Sequence, residues 1–258
     1  MHRGRHTVDR IPYSRLFFVK SAPDGDRPGF VGWGSGNERK RLELYGDNVY
    51  FAPKGVELEL RILPGTEMAT IHYLLEVFYG YDLFESTTEC AKAPNPGWIC
   101  SEVYESLSRP SALSEYMSVL ARILDISGRF LEADGEEFRR IVTLRQRYAP
   151  VVRLLQKSHN QQLRVQELAD AMNMDRSTFS KRFLHDIGLT PKDYLTQLLM
   201  RRAADLVSGT SRKLSEIAED LNFSDEYYFS RFFKKHFGRQ PSVFRDMYVG
   251  RDTSRDIY

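Results

Sequence analysis

From about residue 15 to residue 78 the apolar positions fall in short runs. "RLFFVK", "GFVGW", "RLELY", "VYFAP", "VELELRIL" and "MATIHYLLEVF" are rich in Val, Ile, Tyr and Phe, with Gly-, Pro- and Asp-rich breaks between them. That is the signature of strands. Within residues 56–63 apolar and polar positions alternate as far as Ile62, so one face of that strand points in and the other out. "LELYGDNVYF" predicts a hairpin, because Gly46, Asp47 and Asn48 tolerate the backbone angles of a tight turn. Several short strands at regular spacing predict a sandwich or barrel. Residues 88–98, "TECAKAPNPGW", read as a loop.

The period then changes. Leu113, Met117, Leu120 and Leu124 recur at three- and four-residue steps, which predicts an amphipathic helix over 111–126. "EEFRRIVTLRQRY" predicts a second. Such helices either pad the sheets or pair with a second copy of the chain. From residue 149 onward nearly everything is helical. Pro150 suits the first turn of a helix ending near residue 158, and "SHNQQL" reads as a linker. The chain is therefore α+β, with its strands in front and an all-α region behind.

The helical region contains a repeat. "VQELADAMNMDRSTFSKRFLHDIGLTP" starts at Val165 and "LSEIAEDLNFSDEYYFSRFFKKHFGRQP" at Leu214. Phe179, Phe183, Gly188 and Pro191 in the first answer Phe229, Phe233, Gly238 and Pro241 in the second. A period seen only twice is a duplicated unit, not a solenoid. Each copy, about 165–188 and 214–238, predicts helix, tight turn, helix. Asn173 and Asn222 end the first helices, since Asn accepts a left-handed conformation. Asp175 and Ser224 are the expected N-caps of the second helices, and Gly188 and Gly238 their stops. Between the copies, Thr190 caps and Pro191 opens one further helix. About sixteen residues at 1.5 Å each make it a strut of roughly 24 Å.

On a helical wheel, Phe229, Phe232, Phe233 and Phe237 share one side. Tyr227, Arg231 and Lys234 take the other, flanked by Ser230 and Lys235. The aromatic side predicts core. The basic side is either a solvated face or a surface for the DNA major groove, which accepts such a helix. Two such helices about one duplex turn apart, ~34 Å, would read neighbouring grooves.

Bulk properties bound the remaining choices. The 258 residues suffice for one large or two ordinary domains. The net charge of +2 is unevenly divided, about −2 over 1–150 and about +4 over 151–258. Two cysteines, Cys90 and Cys100, cannot form a disulfide framework and predict free thiols in a reducing compartment. The first residues lack the apolar core of a signal peptide, and no apolar run reaches membrane-spanning length. A cytoplasmic location is expected.

With these residues in view, the stretch from about 149 to 248 resembles the AraC/XylS-type DNA-binding domain of bacterial transcription regulators. "EIAEDLNFSDEYYFSRFFKKHFGRQPSVFR" is similar to that family's signature. The front half, with "ELYGDNVYFAPKGVELEL", is more loosely similar to the cupin-type sensing domain of such regulators. The resemblance implies an effector-sensing cupin-like β-barrel or sandwich over 1–110, a helical dimerisation or linker region over 111–148, and a DNA-binding domain over 149–250. It places base contacts on Ser177, Ser180 and Lys181, and on Glu226, Tyr227, Ser230 and Arg231. Phosphate contacts would fall on Arg176, Thr178, Arg182, Lys234 and Lys235. Leu184 departs from the pattern, standing where the second copy has Lys234, and Asn replaces the family's turn glycine in both copies.

The resemblance also implies double-stranded DNA, a small-molecule effector such as a sugar, a second copy of the chain and RNA polymerase as partners, with no cofactor, no metal and no membrane. Trp33, Tyr50, Arg61 and His72 are candidate effector contacts, and each is equally plausible as ordinary barrel structure. His72 has no His-x-His neighbour, so a metal-dependent cupin enzyme is disfavoured. "GFVGWGSG" lacks the Lys-Ser/Thr end of a phosphate loop and predicts a hairpin turn instead. The expected function is an effector-controlled, sequence-specific regulator and not an enzyme. Two alternatives stay open: a cupin-like metal-dependent enzyme fused to a DNA-binding module, and a constitutive DNA-binding protein whose barrel only dimerises.

Overall fold

The computed structural model describes residues 5–23, 27–34, 36–78, 80–85, 87–93, 97–108, 113–131, 135–157 and 163–249. The described chain forms two compact units, one of residues 1–74 and 84–132, the other of residues 75–83 and 133–249. The "SHNQQL" linker falls almost entirely outside the described residues. Segment 111–148 contributes one helix to each unit.

In the first unit, β1 (Arg5–Asp9), β6 (Leu58–Ile62), β3 (Phe30–Trp33) and β4 (Lys40–Glu43) form one antiparallel sheet in the order β1-β6-β3-β4. The other sheet has the order β10-β5-β2-β7, with β2 (Ser14–Ser21), β5 (Asn48–Ala52), β7 (Glu67–Tyr73) and β10 (Ala91–Lys92). Phe17, Val19, Tyr50 and Ala52 of the second sheet pack with Val31, Trp33 and Leu58 of the first. This is a sandwich and not a closed barrel.

Residues 29–43 form the expected hairpin, β3 with β4. "LELYGDNVYF" does not. β4 and β5 lie in different sheets, so the turn carries the chain around a sandwich corner. Asp47 adopts φ 56° there, and the Asn48 amide donates to the carbonyl oxygen of Gly46 at 2.6 Å. Turn chemistry marks a reversal in the chain but cannot say whether the next strand stays in the same layer. Residues 88–98 are not all loop. They contain β10, whose two residues pair with β5, and the start of α1 (Gly97–Ser108). β1 carried too little apolar signal to be predicted, because three of its five residues are His, Arg or Asp. Cys90 and Cys100 are buried free thiols, each pushed up to about 12 by burial.

The helix predicted over 111–126 is α2 (Leu113–Gly128), but its expected stripe faces outward. Val119, Ile123 and Ile126 are buried, whereas Leu113, Met117 and Leu124 are exposed. The helix carries two apolar edges, and periodicity alone does not say which one faces the sheet.

The second unit holds a β-hairpin, β8 (Glu76–Phe78) with β9 (Tyr81–Asp82), and eight helices among the described residues. Glu76 pairs with Arg201. Gly80, at φ +78°, lies against the side chains of Tyr194 and Leu198, where a Cβ would collide with Leu198. α3 (Gly135–Arg147) and α4 (Ala149–Lys157) join α5 (Val165–Ala171) and α6 (Arg176–Ile187) around Tyr148, Leu155, Leu168, Phe179 and Phe183. α7 (Pro191–Gly209) is the connecting strut, with Thr190 accepting from the Asp193 N–H as its cap and Pro191 in its first turn. α8 (Leu214–Asp220), α9 (Glu226–Phe237) and α10 (Pro241–Val249) complete the second copy. The Phe233 ring packs against Phe237 at 4.2 Å and Phe244 at 5.2 Å. Arg245 ties α10 to the end of α7, donating to the carbonyl oxygens of Val207 at 2.9 Å and Arg212 at 2.7 Å.

Asp186 on α6 accepts from Arg147 at 2.7 Å and from the Tyr148 hydroxyl at 2.9 Å. Burial alone would raise its carboxyl. Hydrogen bonds from Arg147, His185 and Tyr148 outweigh that and hold it below its ordinary value. A carboxyl depressed by folding stabilises the fold above its unfolded pKa, and that stabilisation is lost as pH falls through the folded value. Asp186→Asn should cost about 2 kcal/mol at neutral pH. It should also flatten the acid limb of a stability-versus-pH curve measured by urea unfolding.

Candidate nucleic-acid interface

The two copies close their turns in the same way. After α5, the Met174 N–H donates to Ala169 O at 3.0 Å and the Asn173 N–H to Asp170 O at 3.0 Å. After α8, Phe223 donates to Ala218 O at 2.8 Å and Asn222 to Glu219 O at 2.9 Å. This pair of hydrogen bonds is the Schellman pattern, which needs one left-handed residue just after the helix. Asn173 and Asn222 supply it at φ 53° and 57°.

The second helix of each copy starts on an aspartate. Asp175 accepts from the Thr178 N–H at 2.9 Å and Asp225 from the Tyr228 N–H at 2.7 Å. The Thr178 hydroxyl and N–H hold the Asp175 carboxyl below its ordinary value, and the Tyr228 N–H does the same for Asp225, as expected for an anion at a helix N-terminus. Asp175 was the expected cap. In the second copy the cap is Asp225, not Ser224, whose hydroxyl instead donates to Asp225 at 3.1 Å. The extra residue in that turn moves the cap one position along. Gly188 at φ 80° and Gly238 at φ 73° end the two helices.

These caps and a buried aromatic stripe set the rotation of each helix. Phe179, Phe183 and Ile187 of α6 and Phe229, Phe233 and Phe237 of α9 are buried. Phe232 departs from the expected core. It is half-buried on the flank of α9, against Phe223 and His236.

The remaining positions form the outward surface. On α6, Ser177 and Lys181 are exposed, and half-buried Ser180 donates its hydroxyl proton to Arg176 O at 2.7 Å. In that arrangement the Ser180 oxygen keeps its lone pairs for an outward donor. On α9, Glu226, Tyr227 and Arg231 are exposed and Ser230 is half-buried. The Arg231 guanidinium lies 5.8 Å from the Tyr227 ring centroid, a cation–π contact that restrains a long side chain before it meets a ligand. Arg176, Thr178, Arg182, Lys234 and Lys235 are all exposed, as is Leu184.

The four front-half candidates do not form one group. Trp33 and Tyr50 share the sandwich core. The Trp33 indole N–H donates to Glu89 at 3.0 Å, and the Tyr50 hydroxyl accepts from the Tyr45 N–H at 2.8 Å. His72 sits opposite Arg15 in the register and stacks on Tyr13 at 6.3 Å. Arg61 has the opposite parity to the core residues Leu58 and Leu60, so it lies on the outer face of its sheet.

The family description "Helix-turn-helix domain" matches residues 168–247. The Msm operon regulatory protein of Streptococcus mutans is 34% identical over 95 residues, covering 37% of this chain and 34% of that protein. The lactose operon transcription activator of Staphylococcus xylosus is 32% identical over 94 residues, covering 36% and 34%. The match thus spans about a third of the length of these relatives. Among solved structures, ToxT from Vibrio cholerae is similar in fold at 12% identity, with a TM-score of 0.59, over 96% of this chain and 100% of that one. A ToxT structure with a bound unsaturated fatty acid gives a TM-score of 0.53 at 13% identity, over 97% of each chain.

The left-handed turn can be tested directly. Asn222→Ala should destabilise the protein by about 1 kcal/mol, because Ala lacks the short polar side chain that lets Asn take the left-handed conformation locally. Asn222→Gly should not destabilise it. Thermal unfolding of the two variants checks this.

Proposed function

We propose, from the premise that the C-terminal domain of this chain is an AraC/XylS-type helix-turn-helix domain, that the whole protein is a sequence-specific DNA-binding transcription regulator. One observation carries the reading. Both copies bury an aromatic edge and turn Lys and Arg outward, with Ser177 exposed in the first and Tyr227 in the second, on a helix whose entry is capped in the same way. Such a helix fits the major groove with its early residues at base edges. Ser177, Ser180, Lys181, Glu226, Tyr227, Ser230 and Arg231 are the base readers. Arg176, Thr178, Arg182, Lys234 and Lys235 hold phosphates. Among the described residues no helix is long and apolar enough to cross a membrane, and the reading places the protein in the cytoplasm. RNA polymerase is its expected downstream partner.

The sandwich unit is the proposed sensor for a small metabolite, and the lactose-operon relative makes a sugar the first class to try. A second reading, a constitutive DNA-binding protein, draws on the disposition of Trp33, Tyr50 and Arg61, two with engaged polar atoms and one on the outer face. The protein is proposed to act by binding and not by catalysis. Dimerisation is assigned to the outward edge of α2, where Leu113, Tyr116, Met117 and Leu124 stand exposed.

Selection of bound duplexes from random oligonucleotides, with and without sugars, should return a defined site whose recovery changes with the effector. Arg231→Ala should weaken that site by about 1–3 kcal/mol and relax the choice at one base. Lys235→Ala should weaken all sequences alike. An unaffected site in an Arg231→Ala gel-shift titration removes that residue from the base readers. For the dimer, Leu124→Asp should shift the sedimentation equilibrium towards monomer while far-UV circular dichroism shows an unchanged fold, and the thermal midpoint should lose its dependence on protein concentration.

A further inference from the structure

Within the second unit, a cleft of about 880 Å³ opens between the two copies. Its walls come from the entry of α5, the first turn of α6 and one flank of α9, with α7 along its length. Arg164, Arg176, Lys192, Arg202 and Lys235 line it, against one carboxylate, Asp193. Asp193 is already engaged by the Thr190 hydroxyl at 2.7 Å. All five cations are exposed, and among the described residues none of them forms an ion pair. Five cations against a single carboxylate leave the local potential positive and favour an anion.

The distribution of these charges narrows the ligand. They sit on four separate elements around a long cleft, so one carboxylate or phosphate could neutralise only a minority of them. A polyanion with regularly spaced charge could meet them all. The position is consistent with this. The cleft uses Tyr228, Phe232 and Lys235 on the flank of α9, and Arg176 at the start of α6. The base-reading positions lie on other edges of the same helices. A duplex that touches both helices must cross the space between them. Between two successive major grooves it presents a minor groove bordered by two phosphate backbones.

We infer that this cleft binds the sugar–phosphate backbone bordering the minor groove between the two reading sites, with Lys192 and Arg202 of α7 as phosphate anchors. The inference rests on the DNA-binding reading above and adds α7, otherwise only a strut, to the contact surface. Such contacts strengthen binding to every sequence and carry none of the choice between them.

The test is a salt series of equilibrium titrations with the full chain, on the selected site and on an unrelated duplex. The variant is K192Q/R202Q, with R139Q/R145Q on α3 as a control that makes the same change in net charge. For K192Q/R202Q the slope of log Kobs against log salt should fall in magnitude by about two on both duplexes. Its thermal midpoint and its base preference should be unchanged. Hydroxyl-radical cleavage of the backbone between the half-sites should rise relative to the wild-type complex. An unchanged slope for K192Q/R202Q, or an equal fall for the α3 control, overturns the inference while the regulator reading stands. A wild-type chain that selects no duplex at all defeats the regulator reading itself.

Discussion

Burial of one aromatic edge on α6 and one on α9 governs everything at the proposed interface. Phe179, Phe183 and Ile187 in one copy, and Phe229, Phe233 and Phe237 in the other, repeat at the four-residue step that lines up side chains on a helix. Removing three large apolar side chains from water is worth several kcal/mol per helix, more than any exposed polar contact on the opposite face. The core therefore chooses the rotation, and Arg231 and Lys181 point outward as a consequence. The aspartate caps and left-handed glycines add precision at the ends, so that each helix starts and stops at a defined residue.

The same hierarchy explains the asymmetry between the copies. Both have a Schellman turn on Asn, both an aspartate cap and both a glycine stop. They differ at the surface. The second presents Tyr227 and Arg231, held near each other, while the first presents Ser177 and Lys181, with Leu184 in place of a cation. The first copy is instead braced from behind, where Arg147 and Tyr148 converge on Asp186. Arg245 plays a comparable bracing part in the second, satisfying the carbonyl of Val207 near the end of α7 and that of Arg212 just beyond it. A stiff α7 keeps the spacing of the copies from drifting, which matters for any ligand that must touch both.

The sandwich follows a different constraint. Strand alternation settled which residues of β6 face the core, and Leu58 and Leu60 are there. It also puts Arg61 on the opposite face of the sheet, since adjacent residues in a strand point to opposite faces. The engaged polar atoms of Trp33 and Tyr50 show how aromatic residues with polar handles serve a core. Each buries its ring and finds one partner for its N–H or hydroxyl.

The duplicated helix-turn-helix, its buried edges, the αL asparagines and the outward basic residues were all legible in the sequence. They are local properties, written in periods of three to four residues and in the conformational limits of Asn, Gly, Pro and Asp. The sequence alone could not show that residues 41–52 turn a sandwich corner instead of a hairpin. Nor could it show that the Leu113–Leu124 edge of α2 faces out, that residues 75–83 belong with the helical unit, or that Lys192 and Arg202 share a cleft with Arg176 and Lys235. Those facts depend on which distant surfaces meet. That is settled by competition among long-range packings whose contacting residues lie tens of positions apart, and a local pattern carries no record of it.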